Sequence, residues 1–107
     1  MNIESYEKNN FTVLKLEGEI DLSSSPVARQ HILDTLNKKQ NIIVDLERVE
    51  YIDSSGIASL IEGLQAAKSL SLSFVLTGIS SSVMQVFQLA KLEDIFEIRE
   101  SVESVAD

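Results

Sequence analysis

Ile42-Ile43-Val44-Asp45-Leu46 is a nearly continuous apolar run of strand length. A strand of this kind buries side chains on both faces, so the run predicts a central strand in a sheet covered by helices. Shortly after it come Asp53-Ser54-Ser55-Gly56 and the clearest helical pattern in the chain. Ile57, Leu60, Ile61 and Leu64 follow i, i+3, i+4, i+7 spacing. Ser59, Glu62 and Ala66 are assigned to the opposite, exposed face of that helix. The chain therefore passes from a buried strand into a helix across two hydroxyls and a carboxylate.

The rest of the sequence repeats this alternation. Ile3 to Glu7 and Phe11 to Glu17 read as strands joined at Lys8-Asn9-Asn10, a hairpin because Asn tolerates left-handed backbone. Gly18 to Leu22 leads out of the second strand. Ser23-Ser24-Ser25-Pro26 opens a helix, serine as N-cap and proline in the first turn. Ala28, Ile32 and Leu36 form its buried stripe, and Lys38-Lys39 falls in its last turn. Ser73 to Leu76 reads as the next buried strand. A third helix, capped near Ser80, turns Val83, Phe87 and Ala90 inward. Ile95 to Ile98 gives a last strand, and Ser101 caps a short helix through Val105.

The expected fold is a single α/β domain over 1–107, ordered β-β-α-β-α-β-α-β-α. An opening hairpin followed by alternating units implies a mixed, mostly parallel sheet. Ligand sites in such sheets form beyond the carboxyl ends of the strands. Three turns are placed at that edge: Asp21; Asp53 with Ser54 and Ser55; and Thr77 with Gly78.

Composition narrows the function. The net charge of −8 disfavours binding to a phosphate backbone and favours a partner with a basic surface. There is no cysteine, hence no disulfide framework and no thiolate metal site. The start of the chain lacks a signal-peptide pattern and no apolar run is long enough to span a membrane, so a cytoplasmic location without membrane insertion is expected.

Two explanations of Asp53-Ser54-Ser55-Gly56 stand side by side. Asp53 caps the helix, the serines fill its first turn, and Gly56 lets helix and sheet approach. Alternatively the two hydroxyls form a site. A serine nucleophile needs a base oriented by a third group, and the only histidine, His31, lies in another helix on its surface. No Gly-x-Ser-x-Gly elbow, Walker loop or dinucleotide fingerprint is present. Two carboxylates, Asp21 and Asp53, are too few for a magnesium site. Arg48 and Arg99 have no evident acid-binding context. The expectation is a binding module, not an enzyme, without cofactor.

The chain resembles the STAS-domain family, in particular the bacterial anti-sigma factor antagonists. The resemblance rests on Leu16-Glu17-Gly18-Glu19-Ile20-Asp21, Ile43-Val44-Asp45-Leu46, Tyr51-Ile52-Asp53-Ser54-Ser55-Gly56-Ile57, and Thr77-Gly78-Ile79 leading to Val86-Phe87. It departs from the family at Lys68 to Ser73, where glycines are common, and at Ala90-Lys91-Leu92, where a Ser-Gly-Leu-like turn is common. The resemblance implies a phosphorylation switch. Ser55, with Ser54 as the alternative, would accept phosphate from a serine kinase that is often itself the anti-sigma factor. A serine phosphatase would reset it. Asp21 would be the aspartate beside the acceptor. Asp53, Ser54, Gly56, Ser59 and Glu62 would join Asp21 in the partner contact of a monomer. Two alternatives from related architectures are a subunit bracing the ATPase of a lipid-transport ABC complex and a stressosome-type scaffold component.

Overall fold

The computed structural model describes residues 1–106. Its elements run β1 (Asn2–Lys8), β2 (Phe11–Ile20), α1 (Ser25–Asn37), β3 (Asn41–Ile52), α2 (Ser54–Ser69), β4 (Phe74–Thr77), α3 (Ser81–Leu89), β5 (Glu97–Arg99) and α4 (Glu103–Ala106). The five strands form one sheet in sequence order, β1-β2-β3-β4-β5. β1 is antiparallel to β2, and the remaining pairs are parallel. This is the expected element order and the expected mixed sheet.

The topology decides how the faces are covered. Each parallel crossover steps to the next strand in the same direction, and such crossovers are right-handed. α1, α2 and α3 are therefore carried to the same face. Leu14, Ile42, Val44 and Leu76 meet Ala28, Ile32, Leu60, Val83 and Phe87 there. On the other face Val13, Ile43 and Val75 are covered by Val102, Val105 and Ala106 around the one-turn α4, with Phe11 at the side. The central strand is covered on both faces as expected, but unequally, by three helices on one side and one on the other. The Asn9 side chain, on the hairpin turn at positive φ, donates to the Ala106 carbonyl and ties α4 down.

Several boundaries differ from the expected ones. β2 continues to Ile20, and β3 runs on to Ile52. β3 gains one extra residue against β2 between Asp45 and Arg48 and another between Val49 and Tyr51. These bulges break the two-residue alternation, so the buried positions after Leu46 are Val49 and Ile52, three apart. α1 ends at Asn37, which leaves Lys38 as C-cap and Lys39 beyond it at φ 63, outside the last turn. Ala90 is the exposed C-cap of α3 and does not point inward. β5 begins at Glu97, and Ile95 is exposed.

Gly56 and Gly63 set how closely α2 lies on its neighbours. A Cβ on Gly56 would stand 2.6 Å from Ile52 Cγ1 and 2.8 Å from the Ile20 carbonyl oxygen. A Cβ on Gly63 would meet Ile32 Cγ2 at 2.7 Å. The backbone atom at Gly56 cannot be rotated aside. Gly56→Ala is expected to cost about 1–3 kcal/mol, the usual range for overpacking, read as a lowered urea midpoint at unchanged slope.

Candidate functional site

β2 and β3 end side by side, Ile20 opposite Ile52. The Asp53 N–H donates to the Ile20 carbonyl at 3.2 Å, so the turns leaving the two strands are laced together. Asp21 stands in one turn and Asp53 in the other.

Asp53 is the N-cap of α2. Its Oδ1 accepts from Ser55 N–H at 2.9 Å, Gly56 N–H at 3.1 Å and the Ser55 hydroxyl at 2.6 Å. The hydroxyl bond first, then the Gly56 N–H, holds the carboxyl below its ordinary range, while the charge of Asp21 opposes the shift. Asp21 is arranged in the same way. Its Oδ1 accepts from the Ser23 hydroxyl at 2.7 Å, Ser23 N–H at 3.0 Å and Ser24 N–H at 3.1 Å. Its pKa is also lowered, chiefly by the Ser23 hydroxyl. Ser24 occupies the N-cap of α1 but gives that helix no side-chain cap. Its hydroxyl donates to the Glu19 carbonyl at 2.7 Å and accepts the Asp21 N–H at 2.9 Å.

These shifts fix a pH dependence. A carboxyl with a lowered folded pKa stabilises the fold fully above its unfolded value, about 3.9 for Asp, and loses that contribution as pH falls through the lowered value. Thermal stability should therefore drop below about pH 4. Asp53→Asn keeps a good N-cap, so its melting temperature should fall less steeply over the same acid range in a pH series of melts.

The two serines differ. Ser54 is exposed, and no hydrogen bond reaches its hydroxyl among the described residues. Ser55 is half-buried, its hydroxyl proton aimed at Asp53. Ser55 Oγ thus stands at the helix start, held on Asp53, whose carboxylate feels the charge of Asp21.

Three expected members of the site are placed otherwise. Ser59 is buried, not exposed: its hydroxyl donates to the Ser55 carbonyl at 3.2 Å and reaches the Ser25 carbonyl at 3.4 Å, against α1. Glu62 faces α1 too, and its Oε2 takes Nε and Nη2 of Arg29, both at 2.6 Å. The exposed stripe of α2 is instead Ser54, Ala58 and Gln65, with half-buried Ile61 among them. Thr77 does not reach the cluster. It pairs with Asp45, eight residues before Asp53 on β3, and its hydroxyl donates to Asp45 Oδ1 at 3.3 Å. Arg48 and Arg99 do have acidic partners, Glu17 at 3.2 Å and Glu97 at 3.0 Å.

The sequence reading did not single out the apolar rim of the site. Leu22 is 77% exposed, Val27 49% and Tyr51 48%. Leu22 directly follows Asp21, Val27 lies in the first turn of α1, and Tyr51 precedes Ile52 at the end of β3. A large apolar residue inside a serine-rich turn, as in Asp21-Leu22-Ser23, was the available signal.

Among the described residues no group of three His, Cys, Asp or Glu could hold a metal ion, and no helix is long and apolar enough to cross a membrane.

Residues 2–105 match the family model of the STAS domain. The chain belongs to the STAS-domain family. It is 27% identical over 105 residues to the anti-sigma-B factor antagonist of Staphylococcus aureus (strain NCTC 8325 / PS 47), covering 96% of both chains. An anti-sigma-factor antagonist (STAS) domain protein from Planctomyces limnophilus superposes with a TM-score of 0.85 at 18% identity, over 97% of this chain and 93% of that one. The anti-sigma factor antagonist SpoIIAA superposes with a TM-score of 0.73 at 20% identity in both its unphosphorylated and phosphorylated forms. The unphosphorylated form is matched over 96% of this chain and 92% of that one. The phosphorylated form is matched over 97% and 96%. These solved structures share the expected fold.

Proposed function

We propose that this STAS domain is a phosphorylation-switched binding module of the anti-sigma factor antagonist type. Its unphosphorylated form binds a kinase that is also an anti-sigma factor, and so releases a sigma factor. Phosphate on Ser55 ends that binding, and a serine phosphatase restores it. The domain acts as a cytoplasmic monomer and catalyses nothing itself.

The observation that carries this reading is the Ser55 hydroxyl on Asp53 Oδ1 at 2.6 Å, at a helix start whose cap feels the charge of Asp21 and whose flanking turns and strand end expose Leu22, Val27 and Tyr51. The rim supplies anchors for a partner: buried aromatic and aliphatic side chains dominate interface energies. Asp21 and Asp53 favour a basic surface around those anchors. The hydroxyl has no imidazole beside it, since His31 is exposed on α1, which supports an acceptor role over a nucleophile activated within the domain.

The fold tolerates the modification. Phosphate adds roughly −1.5 to −2 charge. The N-terminal N–H groups and dipole of α2 favour it by roughly 0.3–1 kcal/mol, and Asp21 and Asp53 oppose it. The equal similarity of this chain to both forms of SpoIIAA supports a scaffold of this kind that changes little.

Phosphopeptide mapping of the protein purified from its own cells tests the assignment. Phosphate is expected on Ser55; phosphate only on Ser54, or outside the motif, overturns it. A second consequence concerns Asp53. Phosphorylation replaces its closest hydroxyl donor with a dianion, so the Asp53 pKa should rise above its value in the unmodified domain. Carboxyl-detected NMR titration of both forms measures this, and an unchanged or lower value would count against Ser55 as acceptor.

A further inference from the structure

β3 outruns its neighbour on one side. β4 pairs with it only from Ile42↔Phe74 to Asp45↔Thr77. At Gly78, with φ +70, the chain crosses close against Glu47, where a Cβ would stand 3.0 Å from the Glu47 nitrogen, and its N–H goes to the Arg99 carbonyl, so pairing with β3 stops there. From Leu46 to Ile52, β3 therefore has β2 on one edge and no strand on the other. A parallel strand presents alternate peptide groups to its two sides, so part of this backbone faces outward. Asp45 Oδ1 accepts the Glu47 N–H at 3.2 Å. Among the described residues no side-chain or loop hydrogen bond reaches the backbone of residues 48 to 51. The open edge borders a groove of about 600 Å³ between β3 and the start of α3. It is lined by Glu47, Val49, Glu50, Ser80 and Ser82, and it reaches across Arg48 onto Glu17 and Gly18 of β2.

The charge of this groove selects its occupant. Arg48, its one basic lining residue, is taken up by Glu17. Glu47 and Glu50 are exposed and join no ion pair among the described residues. A second copy of this chain, pairing through the same edge, would set these carboxylates against each other. Like charges so placed disfavour association, which is how natural sheets protect their edges. The two bulges twist the strand here, which excludes long flat pairing but leaves room for a short segment.

We propose that this groove docks a short, extended, lysine- or arginine-bearing segment of a protein partner. The cationic side chains meet Glu47 and Glu50, and the segment's backbone meets the outward peptide groups of β3 between Arg48 and Tyr51. Glu50 and Tyr51 lead directly into Ile52 and Asp53, so the groove is a second contact surface continuous with the Ser55 edge. The inference stands on topology and charge and does not need Ser55 to be phosphorylated.

A synthetic hexapeptide alternating lysine and valine probes the groove on the full chain. Saturable binding by fluorescence anisotropy is expected, with slowed amide hydrogen exchange confined to residues 47 to 51. E47K/E50K should weaken it at least tenfold. E7K/D94K changes net charge equally at exposed positions elsewhere and should weaken it much less. Equal weakening by both pairs, or protection located elsewhere, would mean adventitious charge attraction and overturn the proposal. So would absence of binding, or concentration-dependent protection of the same amides without peptide, which would mark a second copy as occupant.

Discussion

Phosphorylation of Ser55 is expected to weaken partner binding by at least about 100-fold, or roughly 2.7 kcal/mol. The estimate follows from where the group would stand. In the free domain a phosphate on Ser55 projects from a half-buried position into water, with the N–H groups of α2 behind it. In a complex that buries Leu22, Val27 and Tyr51, the same dianion would enter a packed surface shaped for a hydroxyl. Mispaired charge at an interface costs several kcal/mol. Ser55→Ala should therefore bind without regulation and take up no phosphate. Ser55→Asp should bind more weakly than wild type but retain more affinity than the phosphorylated protein, because one carboxylate carries less charge and bulk. Calorimetry against the co-purified partner measures all three. The thermal midpoint separates the switch from damage. If Ser55→Asp loses binding only in proportion to a fallen melting temperature, the effect is unfolding and the switch reading fails.

How much of this was legible before the structure depends on which residues carried a simple period. The stripes Ala28, Ile32, Leu36 and Val83, Phe87 are buried as read, because one face of each helix meets a sheet and the other meets water. Asp53 as the cap of α2 was legible for the same local reason: its role involves only residues two and three positions on. β3 beyond Leu46 was not. Two bulges displace its buried residues to Val49 and Ile52, and the intervening Glu47, Arg48, Glu50 and Tyr51 look like a loop. That length is what removes Thr77 from the site, since β4 stops beside Asp45 while β3 carries Asp53 onward. Ser59 was misplaced for a different reason, while Glu62 beside it keeps 46% of its side chain exposed. The Ser59 position faces α1, as its reach to the Ser25 carbonyl and the Gly63–Ile32 approach show. A helix with two neighbours has two buried faces, and a single-period reading sees only one.

Phe87→Ala is expected to have the largest effect on stability, a loss of about 3–5 kcal/mol. Phe87 is fully buried, and its ring meets that of Phe96 edge-on with centroids 5.6 Å apart. Phe96 also reaches Phe74 on β4, at 6.4 Å. These three rings join α3, β4 and the segment leading into β5. Because β5 has only three residues, it has few ladder bonds of its own to hold it. Removing the Phe87 ring leaves a cavity that the short α3 can close only by moving. Against a typical total of about 5–15 kcal/mol for a native domain, such a loss brings the protein near its unfolding threshold at 37 °C. Phe87→Leu keeps most of the apolar volume and should cost clearly less; equal losses in urea melts would show that Phe87 acts other than by filling space. The Ser55 edge belongs to the same core, but Gly56 seats there on Ile20 and Ile52 and not on the three rings. At temperatures where Phe87→Leu remains folded, its partner affinity should therefore match wild type. A weaker affinity there would show that α3 is coupled to the Ser55 edge through the core that the two share.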